Sequence, residues 1–142
     1  MFRKWPVALA LLISAAAAGQ NPRDELQKML DDQTAAWNRG DLVGFMRAYW
    51  NSPDVTFFSG DTIVQGWQAT LDRYRKKYQA GGQEMGQLHF TDQNIDTLSP
   101  NAAVYTARWH LAMPGGRKLE GLTTVLCKRM KDGWKIVHDH SS

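Results

Sequence analysis

The stretch 102–141, AAVYTARWHLAMPGGRKLEGLTTVLCKRMKDGWKIVHDHS, decides the fold of this chain. It contains three of four strand-like runs rich in β-branched and aromatic residues, at 85–96, 102–113, 117–130 and 134–141. Turn-forming residues separate the runs at Ser99-Pro100-Asn101, Pro114-Gly115-Gly116 and Lys131-Asp132-Gly133. Short turns between long strands predict an antiparallel meander.

The chain ahead of the meander carries helical periodicity. Asn21 and Pro22 suit the N-cap and the first position of a helix, and Gly40 suits the end of that helix. A second, short helix is expected from Asp41 to about Trp50, where a proline-containing segment breaks the pattern. The first part of the domain is therefore predicted to be a helical hairpin.

A short hairpin and a third helix connect this region to the meander. The runs 55–58 and 62–64 flank Ser59-Gly60-Asp61, a pattern typical of a β-hairpin. The third helix opens at Gly66 and ends at Gly81-Gly82. Helices placed before and between strands predict an α+β domain in which helices cover one face of a curved sheet.

The composition is that of one ordinary globular domain. The chain has 142 residues, of which 43% are hydrophobic, so a substantial core can form and global disorder is excluded. The formal net charge is +3, and without Arg3 and Lys4 the remaining 15 basic and 14 acidic side chains leave +1. This balance does not indicate a nucleic-acid partner.

The N-terminal segment has the three parts of a secretory signal peptide. Arg3 and Lys4 precede an apolar run at 7–13 and a series of alanines that ends at Ala18. We therefore expect a signal peptide over residues 1–18, a mature domain over 19–142, and a periplasmic or secreted protein that leaves the membrane after cleavage. Cleavage after Gly19 is the second choice, and retention as a membrane anchor is the alternative.

Cys127 is the single cysteine of the chain, so an intramolecular disulfide is excluded. A reactive thiol is one interpretation. Because the run Thr123 to Cys127 has the composition of a strand, a buried small hydrophobic side chain is the favoured one.

Several segments together carry a resemblance to a known family. They are Trp37-Asn38-Arg39-Gly40-Asp41-Leu42, the block from Gly66-Trp67 to Tyr74 and Tyr78, Ala107-Arg108-Trp109, and Asp132-Gly133-Trp134-Lys135-Ile136-Val137-His138-Asp139-His140-Ser141. In their order and spacing the segments resemble the nuclear transport factor 2-like superfamily. Within it the chain looks most like the SnoaL-like, ketosteroid-isomerase-homologue proteins of unknown function, and more distantly like the association domain of calcium/calmodulin-dependent protein kinase II.

This resemblance implies a fold and an assembly. The fold is a cone-shaped α+β domain, nuclear transport factor 2-like or cystatin-like, with a curved mixed sheet of about six strands wrapped around a long N-terminal helix. Two further helices complete it, and a pocket lies at the open end of the cone. A homodimer is common in the superfamily, which supports enzymes, binding modules and scaffolds alike.

The resemblance also argues against one activity. True ketosteroid isomerases carry a tyrosine oxyanion donor on the first helix, and Gln33 stands at that position here. Their catalytic carboxylate aligns without gaps on Phe58, which cannot abstract a proton. Steroid isomerisation by the Tyr/Asp mechanism is therefore not expected.

The last strand carries the candidate catalytic residues Asp139, His138 and His140. Strand alternation places Trp134 and Ile136 on the face of the two histidines, with Asp139 on the opposite face unless a bulge intervenes. The histidines at i and i+2, with a histidine from a neighbouring strand, His110, form the alternative of a metal site. Hydrogen-bonded structural histidines are the favoured interpretation, and no metal or other cofactor is expected.

Arg108 is the candidate ligand-binding cation. The resemblance to the kinase association domain implies that Arg108 faces the pocket and that Asp139 lies on the same side. A guanidinium at the floor of an aromatic pocket favours a carboxylate or another small anion. The alternative is a structural ion pair between Arg108 and Asp139.

Aromatic residues on the helices and the sheet are candidates for the pocket wall, with plain core packing as the alternative for each. They are Trp37, Tyr49, Phe57, Trp67, Tyr74, Tyr78 and Trp109. Basic residues cluster on the third helix, at Arg73, Arg75, Lys76 and Lys77, and are interpreted as a solvated face.

Three functional hypotheses follow. The leading one is an exported domain that binds a small, partly apolar molecule in its pocket. The molecule is expected to be anionic if Arg108 contacts it. The second is an acid–base enzyme of isomerase, dehydratase or hydrolase type, in which Asp139, His138 or His140 carries the proton. The third is a homo-oligomeric scaffold with an incidental pocket.

Overall fold

The computed structural model describes residues 21–142, so the predicted signal peptide lies outside the described residues. The elements in chain order are α1 (Pro22–Asn38), α2 (Leu42–Met46), β1 (Thr56–Ser59), β2 (Thr62–Gln65), α3 (Trp67–Tyr78), β3 (Gln87–Ser99), β4 (Ala102–Ala112), β5 (Lys118–Met130) and β6 (Gly133–Ser141). Within this part of the chain, no helix combines the length and the apolar character needed to cross a membrane.

The six strands form one mixed sheet in the order β2-β1-β6-β5-β4-β3. Strands β3 to β6 are the predicted antiparallel meander, and β1 joins β6 in parallel while pairing with β2 in a hairpin. The sheet is curved and does not close on itself. Helix α1 packs against β3 and β6, so the sheet wraps around it. The predicted α+β class, with six strands and three helices, is confirmed.

Local capping explains where the first two helices begin. The side-chain oxygen of Asn21 accepts a hydrogen bond from the backbone N–H of Arg23 at 3.0 Å, with Pro22 at the first helical position. Asp41 caps α2 by accepting from the backbone N–H of Gly44 at 2.8 Å. These two caps set the residues at which α1 and α2 begin.

Helix α2 is shorter than predicted, because the backbone that follows it forms hydrogen bonds with β6. The N–H of Trp50 donates to the carbonyl of Ile136 at 2.9 Å, and the N–H of Ile136 donates to the carbonyl of Ala48 at 2.8 Å. Tyr49 thereby forms a parallel bridge with Ile136. The predicted helical continuation to Trp50 is wrong, and the change places Tyr49 beside β6.

A bulge in β6 overturns the predicted distribution of its side chains. Leu126 pairs with His138, but the next residue of β5, Cys127, pairs with Ile136, so Val137 is an extra residue in the ladder. Ile136 and Asp139 are consequently both buried on the inner face, and His140 is exposed on the outer face. The prediction that the two histidines share a face with Trp134 and Ile136 is wrong, because a bulge shifts the alternation by one residue.

The core lies between the helices and the inner face of the sheet. Leu26, Met46 and Ile136 are among its largest fully buried side chains. Cys127 is also fully buried, and this burial raises the pKa of its thiol to about 12. The favoured interpretation of Cys127 as a small hydrophobic side chain is confirmed.

Candidate functional site

A cavity of about 160 Å³ lies between the helices and the inner face of the sheet. Six of the predicted wall residues line it, namely Trp37, Tyr49, Phe57, Tyr74, Tyr78 and Trp109. The seventh, Trp67, instead donates its indole N–H to the carbonyl of Met46 at 2.9 Å, beside the cavity wall rather than in it. The concave sheet and the amphipathic helices thus bring the aromatic residues together, as the sequence predicts.

The aromatic side chains of the cavity contact one another in fixed geometries. The Trp37 ring lies edge-on to Phe45 and Tyr78, with centroids 5.0 and 4.9 Å apart. Phe57 stacks on Tyr74 with centroids 5.4 Å apart. Among the described residues, the buried indole N–H of Trp37 has no hydrogen-bond acceptor. The aromatic wall is therefore a preformed apolar surface.

Asp139 is the buried polar centre of the cavity, with only 4% of its surface exposed. The Tyr49 hydroxyl donates to Oδ2 of Asp139 at 2.6 Å, and the Ser141 hydroxyl donates to Oδ1 at 2.7 Å. The Thr123 hydroxyl lies 3.4 Å from the same Oδ1, and the Tyr74 hydroxyl lies 3.5 Å from that of Tyr49. Hydroxyls from three separate segments thus contact one carboxyl group, and a fourth hydroxyl, that of Tyr74, lies next to Tyr49.

The electrostatic surroundings of Asp139 favour its protonated form. Burial raises the pKa of the Asp139 carboxyl, and the hydrogen bonds from Tyr49, Ser141 and Thr123 oppose that effect only partly. Burial and the neighbouring Asp139 also raise the pKa values of Tyr49 and Tyr74, so both phenols stay protonated. The cluster is therefore a set of hydroxyl donors around one buried carboxyl, whose raised pKa makes it a candidate proton carrier.

The histidines of β6 lie on the outer face of the sheet, away from the cavity. Nδ1 of His138 contacts the Thr56 hydroxyl at 2.6 Å. Phe58 packs edge-on against both His138 and His140. Of the three candidate catalytic residues only Asp139 faces the cavity, so the alternative of His138 or His140 as the proton carrier there is wrong.

The third histidine of the metal alternative lies in a different cluster. His110 stacks on His89 with centroids 4.6 Å apart, and its Nδ1 lies 3.3 Å from the Glu120 carboxylate. Across residues 21–142, no three His, Cys, Asp or Glu side chains are grouped so that they can hold a metal ion. The structure does not support the metal alternative for this part of the chain.

Arg108 lies on the outer face of β4, where its Nε is 3.6 Å from the Asp92 carboxylate and 41% of its side chain is exposed. Its neighbours Ala107 and Trp109 face inward, as strand alternation requires. The expectation of a guanidinium at the cavity floor is therefore wrong, and so is the alternative of an ion pair with Asp139. Within this monomer, Arg108 is a surface residue.

The cavity has two cations that the sequence analysis assigned to a solvated helix face. Arg73 and Lys77 line it from α3, each one position ahead of a wall tyrosine. The spacing of Tyr74 and Tyr78 is the signal that points to them, because residues adjacent to an inward stripe lie at its border. Arg75 and Lys76 are exposed, as the solvated-face interpretation predicts.

The two positions that depart from the ketosteroid isomerase pattern have different surroundings. Gln33 is buried and lines the cavity from α1. Phe58 faces outward, whereas its neighbour Phe57 lines the cavity and pairs in register with Asp139 on β6. The cavity carboxyl thus comes from the last strand and not from β1.

The comparisons with known proteins agree with this geometry. The model of the SnoaL-like domain matches residues 26–142. The chain therefore belongs to the SnoaL-like domain family. A solved NTF-2-like protein of unknown function from Shewanella oneidensis is 36% identical, with a TM-score of 0.80 over 86% of this SnoaL-like chain and 99% of that one.

More distant structures share the fold of this SnoaL-like domain. An NTF2-like superfamily protein from Salmonella enterica is 19% identical, with a TM-score of 0.66 over 85% of this chain and 89% of that one. An NTF2-like protein of unknown function from Pseudomonas putida is 14% identical, with a TM-score of 0.70 over 84% of each chain. No curated protein matches the chain. The SnoaL-like family match and the 36% identical NTF-2-like structure confirm the superfamily resemblance.

Proposed function

We propose that this SnoaL-like domain binds a small, partly apolar molecule in the cavity between its helices and its sheet. The observation that carries the proposal is a buried carboxyl, Asp139, held by three hydroxyls inside a cavity with a largely aromatic wall. Binding sites of this kind combine an apolar wall with a few convergent polar groups that orient the ligand.

The size of the cavity limits its ligand. Its volume of about 160 Å³ is close to that of engineered apolar cavities, on the order of 150 Å³, that hold a benzene molecule. A steroid nucleus with its four fused rings is larger than this space. The cavity therefore suits a ligand whose buried part is about one ring.

A matched pair of cavity and surface variants tests the proposal. Val125 is buried and lines the cavity, whereas Val104 lies on the outer face of the sheet. We expect native mass spectrometry of the purified protein to show a retained small molecule, and Val125→Phe to lose it while Val104→Phe keeps it. Equal retention by both folded variants would place the molecule elsewhere and contradict the proposal.

Acid–base catalysis is the second candidate function, and the raised pKa of Asp139 inside the cavity favours it. Asp139 is then the group that carries a proton to or from the ligand, and the phenol of Tyr74 donates a hydrogen bond to developing negative charge. An isomerase, dehydratase or hydrolase reaction fits these groups. Turnover by the wild type that Asp139→Asn abolishes would support it, and binding without turnover would leave the binding function alone.

We also propose that the chain is exported and forms a homodimer. The charged and apolar pattern of residues 1–18 supports export. The outer face of the sheet, which no helix of the described chain covers, supports the dimer, since Leu122 there is 53% exposed. Cell fractionation with N-terminal sequencing tests export, and light scattering of wild type and Leu122→Glu tests the dimer. A monomeric wild type, or a Leu122→Glu variant with unchanged mass, would contradict this face as the interface.

A further inference from the structure

Two cations border the cavity where it meets the surface. Arg73 and Lys77 are one turn apart on α3, so they lie side by side along the edge of the stripe that carries Tyr74 and Tyr78. Lys77 is exposed, and its Nζ lies 5.3 Å from the centroid of the Tyr78 ring. The cavity mouth is therefore positively charged.

Neither cation is neutralised by an acidic partner in the described chain. Among residues 21–142, Arg73 and Lys77 form no ion pair, whereas Arg75 on the same helix lies 3.8 Å from the Asp72 carboxylate. Two unpaired cations at the rim of an apolar cavity attract an anionic group to that rim.

The buried interior of the cavity disfavours an anion. Asp139 is buried there, and its carboxyl accepts hydrogen bonds from Tyr49 and Ser141. A ligand carboxylate placed beside it would be desolvated by the same burial that raises the pKa of Asp139, and it would repel Asp139 whenever that group is ionised. Charge alone therefore orients an anionic ligand with its acidic group at the mouth and its apolar part inside.

We propose that the ligand is an organic acid with a single ring, whose carboxylate pairs with Arg73 and Lys77 while its ring lies among the aromatic side chains of the wall. This inference rests on the proposed binding function and specifies the class of its ligand. The planar guanidinium of Arg73 matches a carboxylate through two parallel hydrogen bonds. Trp37, Phe57 and Tyr74, which all line the cavity, provide the apolar surface for the ring.

Isothermal titration with benzoate and with benzamide, its neutral analogue of nearly the same shape, tests the inference. We expect benzoate to bind at least about tenfold more tightly than benzamide, because only benzoate gains charge-assisted hydrogen bonds. Arg73→Gln and Lys77→Gln should each weaken benzoate binding several-fold and leave benzamide binding unchanged. The matched controls Arg75→Gln and Lys76→Gln, on the same helix outside the cavity, should change neither affinity by more than about twofold.

The outcomes separate this inference from the function on which it rests. Equal affinity for benzoate and benzamide would overturn the anionic ligand and leave cavity binding in place. Benzoate binding that survives in a folded Arg73→Gln/Lys77→Gln double variant would overturn the assignment of the carboxylate to the mouth. Binding of neither probe would overturn the single-ring acid, and the native mass spectrum described above would then decide cavity binding independently.

Discussion

Replacing Tyr49 by phenylalanine removes the shortest hydrogen bond to the buried carboxyl and little else. The Tyr49 hydroxyl donates to Asp139 at 2.6 Å, while its ring packs against Phe45 with centroids 5.9 Å apart, a contact that phenylalanine preserves. A hydrogen bond to a charged group contributes about 1.5 to 3 kcal/mol, and one between neutral groups about 1 kcal/mol. Tyr49→Phe should therefore lower the free energy of unfolding by about 2 kcal/mol with Asp139 ionised and by about 1 kcal/mol with it protonated.

The sign of the pH dependence follows from the charge on Asp139. The hydrogen bond from Tyr49 lowers the pKa of Asp139, so removing it raises that pKa further. The loss of folding free energy caused by Tyr49→Phe should therefore increase as the pH increases. Urea denaturation of both proteins between pH 4 and 9 measures this trend. Tyr105→Phe is the matched control, because the Tyr105 hydroxyl donates to the neutral side chain of Gln93 at 3.0 Å. The stability that this variant loses should therefore be independent of pH. A loss for Tyr49→Phe that does not grow with pH would refute the assignment of Asp139 as the titrating partner.

Three further predictions concern the carboxyl of Asp139, the thiol of Cys127 and the close backbone approach at Gly121. The pKa of Asp139 in the folded protein lies above its ordinary value of 3.8, so wild-type stability should fall as the pH rises from 3.8 through the folded pKa. Asp139→Asn should remove that decline. Denaturation midpoints measured across this pH range check both expectations. Cys127 is buried, and its pKa is raised to about 12. Its thiol should therefore react with a disulfide reagent at pH 8 only as fast as the protein unfolds, and rapid labelling of the folded protein would contradict this. Gly121→Ala should lower stability by about 1 to 3 kcal/mol, since a Cβ there collides with the Ser142 carbonyl and the Trp109 ring. An unchanged melting temperature would contradict the close approach of Ser142 and Trp109 to Gly121.

Much of the fold could be predicted because its signals are local. The cap at Asn21 and the turn at Pro114-Gly115-Gly116 place element boundaries within a few residues of those observed. The stripe of Tyr74 and Tyr78 likewise predicted a wall of the cavity. Each of these depends only on residues a few positions apart in the chain.

The errors arise where contacts between distant segments decide the geometry. The bulge at Val137 depends on how β5 pairs with β6, so alternation counted along the strand placed His138 and Ile136 on the same face. The early end of α2 depends on hydrogen bonds to Ile136, which is far away in the chain.

Arg108 is an error of a different kind. The apolar alternation of Ala107, Trp109 and Leu111 in its own strand predicts an outward arginine, and the structure agrees with that local signal. The expectation of a pocket-facing guanidinium came from matching a distant relative. Where local alternation and a distant resemblance disagree on the direction of one side chain, the alternation was the better guide here.

The most direct test of cavity binding uses the indole groups of the protein itself. Trp37 and Trp109 line the cavity, whereas the indole N–H groups of Trp67 and Trp134 donate to Met46 and Glu25 outside it. In nitrogen-15 NMR spectra recorded during titration with benzoate, we expect the indole signals of Trp37 and Trp109 to shift in a saturable way while those of Trp67 and Trp134 stay in place. Shifts confined to Trp67 and Trp134 would contradict the account, because they would show binding away from the cavity that holds Asp139.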